Sequence, residues 1–240
     1  MLLGTAWDYQ DNLPEFLARL EALEAAGIAV CNPPAVVRWN GDKRYLKELG
    51  DAGLPTIPTL WFDEVSASEV AIALDAFEAS RVVVKRQVGA GALGQHSFAR
   101  NALPEPGWLM GHPAMIQPFL PSIVDEGEYT FLFIDGRFSH GVLKQPAQGE
   151  YRIQSLYGGR ECDFSPEPAD LARAEAVVRA LPFPDLLYCR IDMARLPSGE
   201  LAVMEAEAIE PYLYPQQGPE LGPSMAQAIL RRLVVSVAER

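Results

Sequence analysis

Three acidic residues near the carboxyl end of the chain have the types and the spacing of a metal site. Asp192 closes one predicted strand, and Glu205 and Glu207 close the next one, which follows across a short turn at 197–199. Side chains alternate along a strand, so Glu205 and Glu207 share a face, and antiparallel pairing brings Asp192 beside them. Carboxylates this close repel one another unless a cation compensates, and hard oxygen ligands favour Mg²⁺ together with substrate phosphates. An acidic strand edge that faces water is the alternative interpretation.

A glycine-rich run with a lysine before it is the second feature that indicates phosphate chemistry. Gly89, Gly91 and Gly94 follow a predicted strand that ends at Lys85, and they match the dinucleotide-binding pattern GxGxxG. That pattern requires a helix to begin at the glycines, whereas this chain runs into a proline-rich segment. A Walker loop would need Gly-Lys-Ser/Thr, and a protein kinase places its lysine after the glycines. The run therefore predicts either a phosphate-binding flap served by Lys85 or a plain hairpin loop with a solvated lysine.

Lys43 is a third candidate, because it falls in the first turn of a helix that we predict over residues 40–49. A cation at this position opposes the helix dipole, and Arg44 beside it adds to the cost. The placement favours an anion at this end of the helix. The alternative interpretation is a solvated charge that Asp42 balances.

The rest of the chain consists of predicted helices and strands that would position these residues. Asn12 is a typical N-cap residue and Gly27 is typical of the position after a helix, so the first helix is predicted between them. Further helices are predicted at 40–49, 68–77, 165–181 and from 224 to the end. Strands are predicted at 2–4, 28–31, 56–61, 81–85, 115–119, 129–134, 138–144, 187–193 and 201–205. The predicted class is α/β, with mixed or antiparallel sheets in the second half.

Composition and charge restrict the function classes. The chain has 240 residues and a net charge of -12 at pH 7, which argues against a surface that follows nucleic-acid phosphates. The three cysteines, at positions 31, 162 and 189, form no CxxC pattern, so we expect neither a disulfide framework nor a zinc site. The sequence shows no signal peptide and no apolar run long enough to span a bilayer. These features predict a cytoplasmic protein without nucleic-acid or membrane partners.

Taken together, these segments resemble the ATP-grasp superfamily, and the resemblance extends from about residue 7 to residue 213. Within the superfamily, the chain is similar to the glutathione-synthetase-like branch that includes D-cycloserine ligase. The segments that carry the resemblance, in their shared order, are 5–9, 32–34, 39–46, 83–91, 116–120, 136–144, 149–154, 157–159, 190–192 and 205–211.

The resemblance implies an α+β fold in which two lobes grip ATP, preceded by a partial N-terminal α/β domain. The corresponding divisions are 1–34 for the N-terminal segment, 35–118 for the first lobe with the lysines and the flap, and 119–240 for the second lobe with the metal carboxylates. Relatives carry a fuller N-terminal domain, which generally helps to bind the acceptor substrate and supports dimerisation. A homodimer is therefore expected, together with poor turnover by this chain.

The resemblance also implies roles in nucleotide and metal binding. Lys43 and Lys85 would hold the α- and β-phosphates under the glycine flap. The hinge between the lobes, whose backbone would bind adenine, corresponds to Gln117, Pro118, Phe119 and Leu120. The carboxylate cluster matches the ligands of Mg²⁺, with two ions expected and Mn²⁺ as an alternative metal. Many relatives have Asn at the position of Glu207.

The implied enzyme is an ATP-dependent ligase that joins a small carboxylate to a small amine. An acyl phosphate would form, the amine would displace phosphate, and ADP would be released. Arg152 matches an arginine that contacts the γ-phosphate and the acyl-phosphate oxygens, and Lys144 and Arg190 are further anion contacts. Two other interpretations stay open, an ATP-binding module without ligase activity and a phosphotransferase that leaves the γ-phosphate on its product.

The acceptor pocket is the least specified part of the implied site. Its expected residues are Trp7, Asp8, Tyr157 and Glu210. His140 either lines this pocket or is simply packed beside a strand. The resemblance does not identify the carboxylate or the amine.

Overall fold

The computed structural model describes residues 1–4, 6 and 8–238. Its helices are α1 (Leu13–Ala25), α2 (Pro34–Asn40), α3 (Tyr45–Asp51), α4 (Ala67–Ala76), α5 (Ser122–Asp125), α6 (Pro168–Ala180) and α7 (Leu221–Ala238). Its strands are β1 (Leu60–Phe62), β2 (Val65–Ser66), β3 (Arg81–Arg86), β4 (His96–Ala99), β5 (Leu109–Met110), β6 (Ala114–Pro118), β7 (Glu128–Ile134), β8 (Arg137–Gln145), β9 (Arg160–Phe164), β10 (Tyr188–Arg195) and β11 (Leu201–Glu207).

Two antiparallel sheets organise the fold. A four-stranded sheet has the order β1-β6-β3-β4, a five-stranded sheet has the order β11-β10-β7-β8-β9, and β2 pairs with β5 alone. All pairings between these strands are antiparallel. This architecture confirms the predicted α+β class and its antiparallel second half.

The five-stranded sheet has one apolar face and one charged face. Phe131 and Ile191 are fully buried in the largest apolar cluster, where α2, α3 and α6 pack against the sheet. Their chain neighbours Thr130, Arg190 and Asp192 point to the opposite face because side chains alternate along a strand. The packed helices therefore give the charged residues a rigid support.

The four-stranded sheet packs against α4 in a second apolar cluster. Val82 and Val84 of β3 meet Val70 and Leu74 of the helix there. Ser66 begins α4 with a capping box, in which its side chain and the side chain of the residue three positions later satisfy each other's backbone N–H groups. The loop that follows β3 returns as β4, as predicted for the glycine-rich run, and its Gly89 O accepts from Lys43 Nζ at 2.7 Å.

The predicted helix over 40–49 is wrong in its start. The chain forms α2 from Pro34 and α3 from Tyr45, and Lys43 lies in the turn between them. The Asn-Pro-Pro segment before α2 resembles a strand breaker, but proline is also favoured at the first helical position, where its missing N–H costs nothing. The dipole argument for an anion beside Lys43 therefore does not hold. The backbone N–H of Lys43 donates to Gln87 O at 3.0 Å.

Other boundaries differ for similar local reasons. The strands predicted at 2–4 and 28–31 reduce to one parallel bridge between Leu2 and Cys31. The strand predicted at 56–61 starts later, at Leu60, and the last helix starts earlier, at Leu221. The short elements α2, α5, β2, β5 and β9 were not predicted. None of the described helices has the length and hydropathy to cross a membrane.

Candidate active site

The predicted carboxylate cluster lies where β10 and β11 pair. Asp192 is opposite Glu205, and Arg190 is opposite Glu207. One oxygen from each of the three carboxylates lies within 4.8 Å of the others. The structure therefore brings these side chains together on the charged face of the sheet, and an all-oxygen donor set of this kind fits Mg²⁺.

Asp192 is the most deeply buried carboxylate of the cluster, with 1% of its surface exposed. Thr130 Oγ1 donates to it at 2.6 Å, Lys144 Nζ at 3.1 Å and Arg190 Nε at 3.0 Å. Burial alone would raise the pKa of Asp192, but Arg190 and Lys144 outweigh burial and hold that pKa well below its usual range. Asp192 is therefore ionised in the protein without ligand.

Glu205 and Glu207 each have a cation as their present partner. Lys43 Nζ donates to Glu205 Oε1 at 2.5 Å and to Gly89 O at 2.7 Å, while Arg190 pairs with Glu207. Burial opposes the charge on Lys43, yet Glu205 beside it raises the pKa of that lysine above its ordinary value. Burial also raises the pKa of Glu207 to about 7. A metal ion at this place would compete with these two cations for the carboxylates.

Glu128 belongs to the same charged face and was missed by the sequence reasoning. It is 2% exposed, pairs with Lys144 and lies opposite it in the β7–β8 ladder. Burial raises the pKa of Glu128 to about 8, although Lys144 acts in the opposite direction. Alternation with Thr130 on β7 is the signal that could have found it, since both side chains share the face of Asp192.

A cavity of about 310 Å³ lies between the glycine loop and two lysines, with Lys43 and Lys85 in its lining. Gly91 and Gly94 have φ values of +61° and +68°, a backbone region that glycine adopts without strain. Burial lowers the pKa of Lys85, and no salt bridge to its amine is found among the residues that the structure describes. The loop and the lysines thus enclose a cationic cavity, and their contact with phosphates stays a prediction.

Arg86 also lines this cavity and was not predicted as a site residue. Its Nε is buried without a hydrogen-bond partner. Added Cβ atoms at Gly89 and Gly94 would meet its side chain at 3.2 Å and 3.5 Å. The guanidinium therefore adds a further positive charge directly beneath the glycine loop. Because Lys85 was read as the end of the strand, nothing in the pattern singled out the next residue.

A larger cleft of about 530 Å³ adjoins the cavity, since Gln95 lines both. The predicted hinge residues Gln117, Pro118, Phe119 and Leu120 all line this cleft, and its other aliphatic walls are Ile57, Val83, Ile123, Ile153 and Met204. The Phe119 N–H donates to Arg81 O at 3.0 Å, which holds the end of β6 against β3. An apolar slot beside a cationic cavity has the form of a site for a base and its phosphates.

Arg152 lies at the edge of the larger cleft, on the loop between β8 and β9. Its Nη2 atom is 2.6 Å from Glu150 Oε2, and its guanidinium carbon stands 3.6 Å from the centre of the Tyr157 ring. The structure therefore places Arg152 within the cleft lining but holds its charge on its own loop. Its contact with a γ-phosphate stays a prediction.

The expected acceptor residues are only partly brought together. Trp7 lies outside the described residues, Asp8 is exposed, and Tyr157 stacks on Arg152. Glu210 is buried, and burial together with Glu207 raises its pKa to about 8.

His140 is packed rather than directed into a pocket. Its Nε2 lies 3.1 Å from Leu213 O, and its Nδ1 lies 3.0 Å from Ser139 Oγ. The ring also lies so close to Gly218 that an added Cβ would be 2.4 Å from it. The packing interpretation of this histidine is therefore favoured.

Two known proteins resemble this chain, one along almost its whole length and one along two thirds of it. DcsG, a cycloserine biosynthesis protein of Streptomyces lavendulae, is 29% identical over 251 residues, which cover 97% of this chain and 83% of that protein. A glutathione synthetase of Prochlorococcus marinus (strain MIT 9313) is 31% identical over 171 residues, and the match covers 67% of this chain and 50% of the synthetase. No family model matches the chain.

Solved structures extend the resemblance to the fold. The crystal structure of D-cycloserine synthetase DcsG has a TM-score of 0.81 at 26% identity and covers 96% of this chain and 82% of that one. The ATP-grasp ligase PsnB, in a complex with a precursor variant, Mg and ADP, has a TM-score of 0.64 at 20% identity and covers 92% of this chain and 71% of that one, a likeness that concerns the fold alone. Together with the two-sheet architecture, these relatives show that the chain is a homologue of DcsG and has the fold of the ATP-grasp ligases.

Proposed function

We propose that this protein is a MgATP-dependent ligase that joins a small carboxylate to a small amine through an acyl phosphate. The observation that carries the proposal is the charged face of the five-stranded sheet. Four carboxylates and four basic side chains meet there or at the adjoining loop, beside an apolar cleft. They are Glu128, Asp192, Glu205, Glu207, Lys43, Lys85, Lys144 and Arg190.

The two adjoining cavities support an orientation for the nucleotide. The larger cleft offers apolar walls for adenine, and the hinge at 117–120 supplies backbone groups at its edge. Lys43, Lys85 and the glycine loop line the smaller cavity, which supports binding of the α- and β-phosphates there. The γ-phosphate would then lie toward Asp192 and Arg190, on the charged face.

The carboxylate cluster has the chemistry to hold divalent metal. Asp192, Glu205 and Glu207 would be the ligands, because their oxygens already approach one another within 4.8 Å. When bound there, Mg²⁺ supplies neutralisation of the phosphate oxygens and polarisation of the γ-phosphate. Lys43 and Arg190 would turn from Glu205 and Glu207 to phosphate oxygens, so each cation would keep an anionic partner.

The chemistry itself would proceed in two substitutions. A carboxylate oxygen of the substrate attacks the γ-phosphorus, the bond to the bridging oxygen breaks, and ADP leaves with that electron pair. The amine nitrogen then attacks the acyl carbon, phosphate leaves, and the nitrogen loses a proton to form the amide. Lys144, Arg190 and Arg152 would stabilise the negative charge that develops in both steps, which is the main contribution a protein makes to phosphoryl transfer.

Release of ADP and phosphate from ATP, measured with a panel of amino acids and small amines, tests this function. We expect release only when a carboxylate and an amine are both present, and a product whose mass is their sum less water. MgATP binding without release under any pair would identify an ATP-binding module instead. A product that retains the γ-phosphate would identify a phosphotransferase. The expected homodimer and cytoplasmic location stay predictions, which light scattering and cell fractionation would test.

A further inference from the structure

The outer edge of β11 is closed by residues from the first quarter of the chain. β11 is the terminal strand of the five-stranded sheet, and only its inner edge pairs with β10. At Val203 the outer edge is bridged by backbone, because Val203 N donates to Pro55 O at 2.8 Å and its carbonyl accepts from Ile57 N at 3.3 Å. If this strand edge were open, the next backbone N–H and C=O groups that point outward, at Ala206 and Ala208, would lack hydrogen-bond partners.

Asn40 supplies those partners with a single side chain. Its Nδ2 donates to Ala206 O at 2.7 Å, and its Oδ1 accepts from Ala208 N at 2.8 Å. A primary amide carries the same donor and acceptor as a peptide group, so Asn40 imitates one pair of a neighbouring strand. Tyr45 adds a third contact, since its hydroxyl oxygen accepts from Ala206 N at 3.0 Å. These three bonds bracket Glu207, the residue between the two alanines.

The clamp is built into the interior. Asn40 is 7% exposed and Tyr45 is 2% exposed, and removing one partner of a buried hydrogen bond leaves the other unsatisfied. The side chain of Ala206 enters the apolar core behind the sheet. Glu205 and Glu207 therefore point to the charged face with their shared backbone held on both sides.

Metal binding depends on how precisely these two carboxylates are aimed. Mg²⁺ demands nearly octahedral geometry with bonds of about 2.0–2.1 Å, far stricter than a salt bridge to a lysine or arginine. Hydrogen-bond partners that orient metal ligands typically change metal affinity by about 10–100-fold when they are removed. A clamp on the backbone at 206–208 acts on both ligands of β11 together.

We propose that Asn40, supported by Tyr45, is a positioning residue that fixes the backbone at 206–208 and thereby aims Glu205 and Glu207 at Mg²⁺. This inference rests on the proposed MgATP site. Asn40 touches neither phosphate nor metal in this arrangement and acts only through the strand that carries the two ligands.

The test is the gain in affinity for ADP that Mg²⁺ produces, measured by titration calorimetry in excess Mg²⁺ and again in EDTA. Asn40→Leu keeps the number and branching of the side-chain heavy atoms and deletes both hydrogen bonds. The matched control is Asn32→Leu, because Asn32 is fully buried and makes three bonds, to Leu187 N, Tyr188 O and Ala208 O. Two of those bonds go to residues 187 and 188, and the third goes to the carbonyl of Ala208, one peptide group beyond the Ala208 N–H that Asn40 binds, so Asn32→Leu reports the cost of losing a buried amide that holds neither peptide group next to Glu207. Tyr45→Phe deletes one bond and keeps the ring.

We expect Asn40→Leu to lower the magnesium gain at least tenfold and to leave the affinity in EDTA within twofold. Asn32→Leu should lower the melting temperature at least as much as Asn40→Leu does and leave the magnesium gain within twofold. Tyr45→Phe should lower the magnesium gain about threefold. An unchanged gain in Asn40→Leu, or an equal loss in Asn32→Leu, overturns the positioning role alone. If Asn40→Leu does not fold, an unchanged gain in Tyr45→Phe overturns it. Wild-type protein without any magnesium gain overturns the proposed function and this inference together.

Discussion

Lys85 is expected to weaken the fold of the protein without ligand and to strengthen nucleotide binding, so its replacement by methionine separates the two effects. The amine lies at the cavity beneath the glycine loop, and burial lowers its pKa. Lys144 is the useful comparison because it is also buried but pairs with Glu128 and lies 3.1 Å from Asp192. Both changes replace a lysine by an apolar side chain of similar length, and only one of them breaks salt bridges.

The magnitudes follow from these surroundings. Removing a charged hydrogen-bond donor from a phosphate costs about 1.5–3 kcal/mol, so Lys85→Met should weaken ADP binding roughly 10- to 150-fold. Removing a buried cation that lacks a salt bridge is neutral or stabilising, and about 1 kcal/mol shifts the melting temperature of a chain this long by about 2–4 °C. Breaking a buried pair costs about 3–5 kcal/mol. We therefore expect Lys85→Met to melt at or slightly above the wild-type temperature and Lys144→Met to melt about 10 °C below it.

The pH dependence gives an independent check on Lys85. Because its folded-state pKa is lowered, the unfolded chain binds this proton more tightly, and the contribution of Lys85 to stability rises with pH between the folded and the unfolded pKa. Lys85→Met should remove that alkaline rise. Thermal melts across pH and ADP titrations with excess Mg²⁺ provide both measurements. A melting temperature for Lys85→Met as low as that of Lys144→Met, or unchanged ADP affinity, would refute the reasoning.

Three further changes probe other parts of the site. Mg²⁺ affinity in the presence of ADP should fall about tenfold per pH unit below pH 7 and stay level above it, because a proton on Glu207 competes with the metal. Glu207→Gln should flatten this pH profile, and a slope that survives in the variant contradicts the assignment to Glu207. Met204→Trp should fill the apolar cleft and weaken ATP binding at least tenfold, while tripolyphosphate binding stays within threefold. Equal losses of affinity for both ligands argue against adenine in this cleft. Arg152→Met should lower the rate of phosphate release about 10²–10³-fold and change ATP affinity less than threefold, since Glu150 holds the arginine before catalysis. The control is Arg160→Met, on exposed β9. Equal effects of Arg152→Met on rate and on ATP affinity count against a role of Arg152 in the transition state.

The carboxylate cluster was predictable because its geometry is local. The turn at 197–199 joins two strands of adequate length, which brings the three carboxylates into one neighbourhood, whereas the register shift between Asp192 and Met193 that sets Asp192 opposite Glu205 has no signal in the sequence. Alternation then selects Glu207 on the same face. The glycine loop was also predictable from local sequence. The proline-rich segment after the glycines cannot form a long helix, so the chain is expected to return in an extended conformation. Their combined order along the sequence is what indicates the family.

The remaining parts depend on contacts between distant segments, which no short pattern contains. Lys43 contacts Glu205 from 162 positions away, and the helix predicted to contain Lys43 starts later than expected because a separate helix, α2, occupies Pro34–Asn40. Asn40 reaches Ala206 across 166 positions. An asparagine before a glycine looks like an ordinary turn residue, and only the fold shows that its amide completes the edge of a sheet. Glu128 was overlooked because a single acid at the start of an apolar strand is unremarkable without its partner Lys144.

The balance of charge in the site explains how one arrangement can be stable without a ligand and still bind MgATP. Glu205 is paired with Lys43, Glu207 with Arg190, and Glu128 and Asp192 with Lys144, while Lys85 lacks a salt bridge in the described part of the chain. Four carboxylates thus lie among these four basic groups, and Arg86 beneath the glycine loop is a fifth cation. Fully ionised ATP with two Mg²⁺ ions carries no net charge, so its binding adds no charge to a buried site. The carboxylates would pass from lysine and arginine to metal, and the freed cations would pass to phosphate. By the same reasoning, the anionic partner of Lys85 would come from the nucleotide and not from the folded protein.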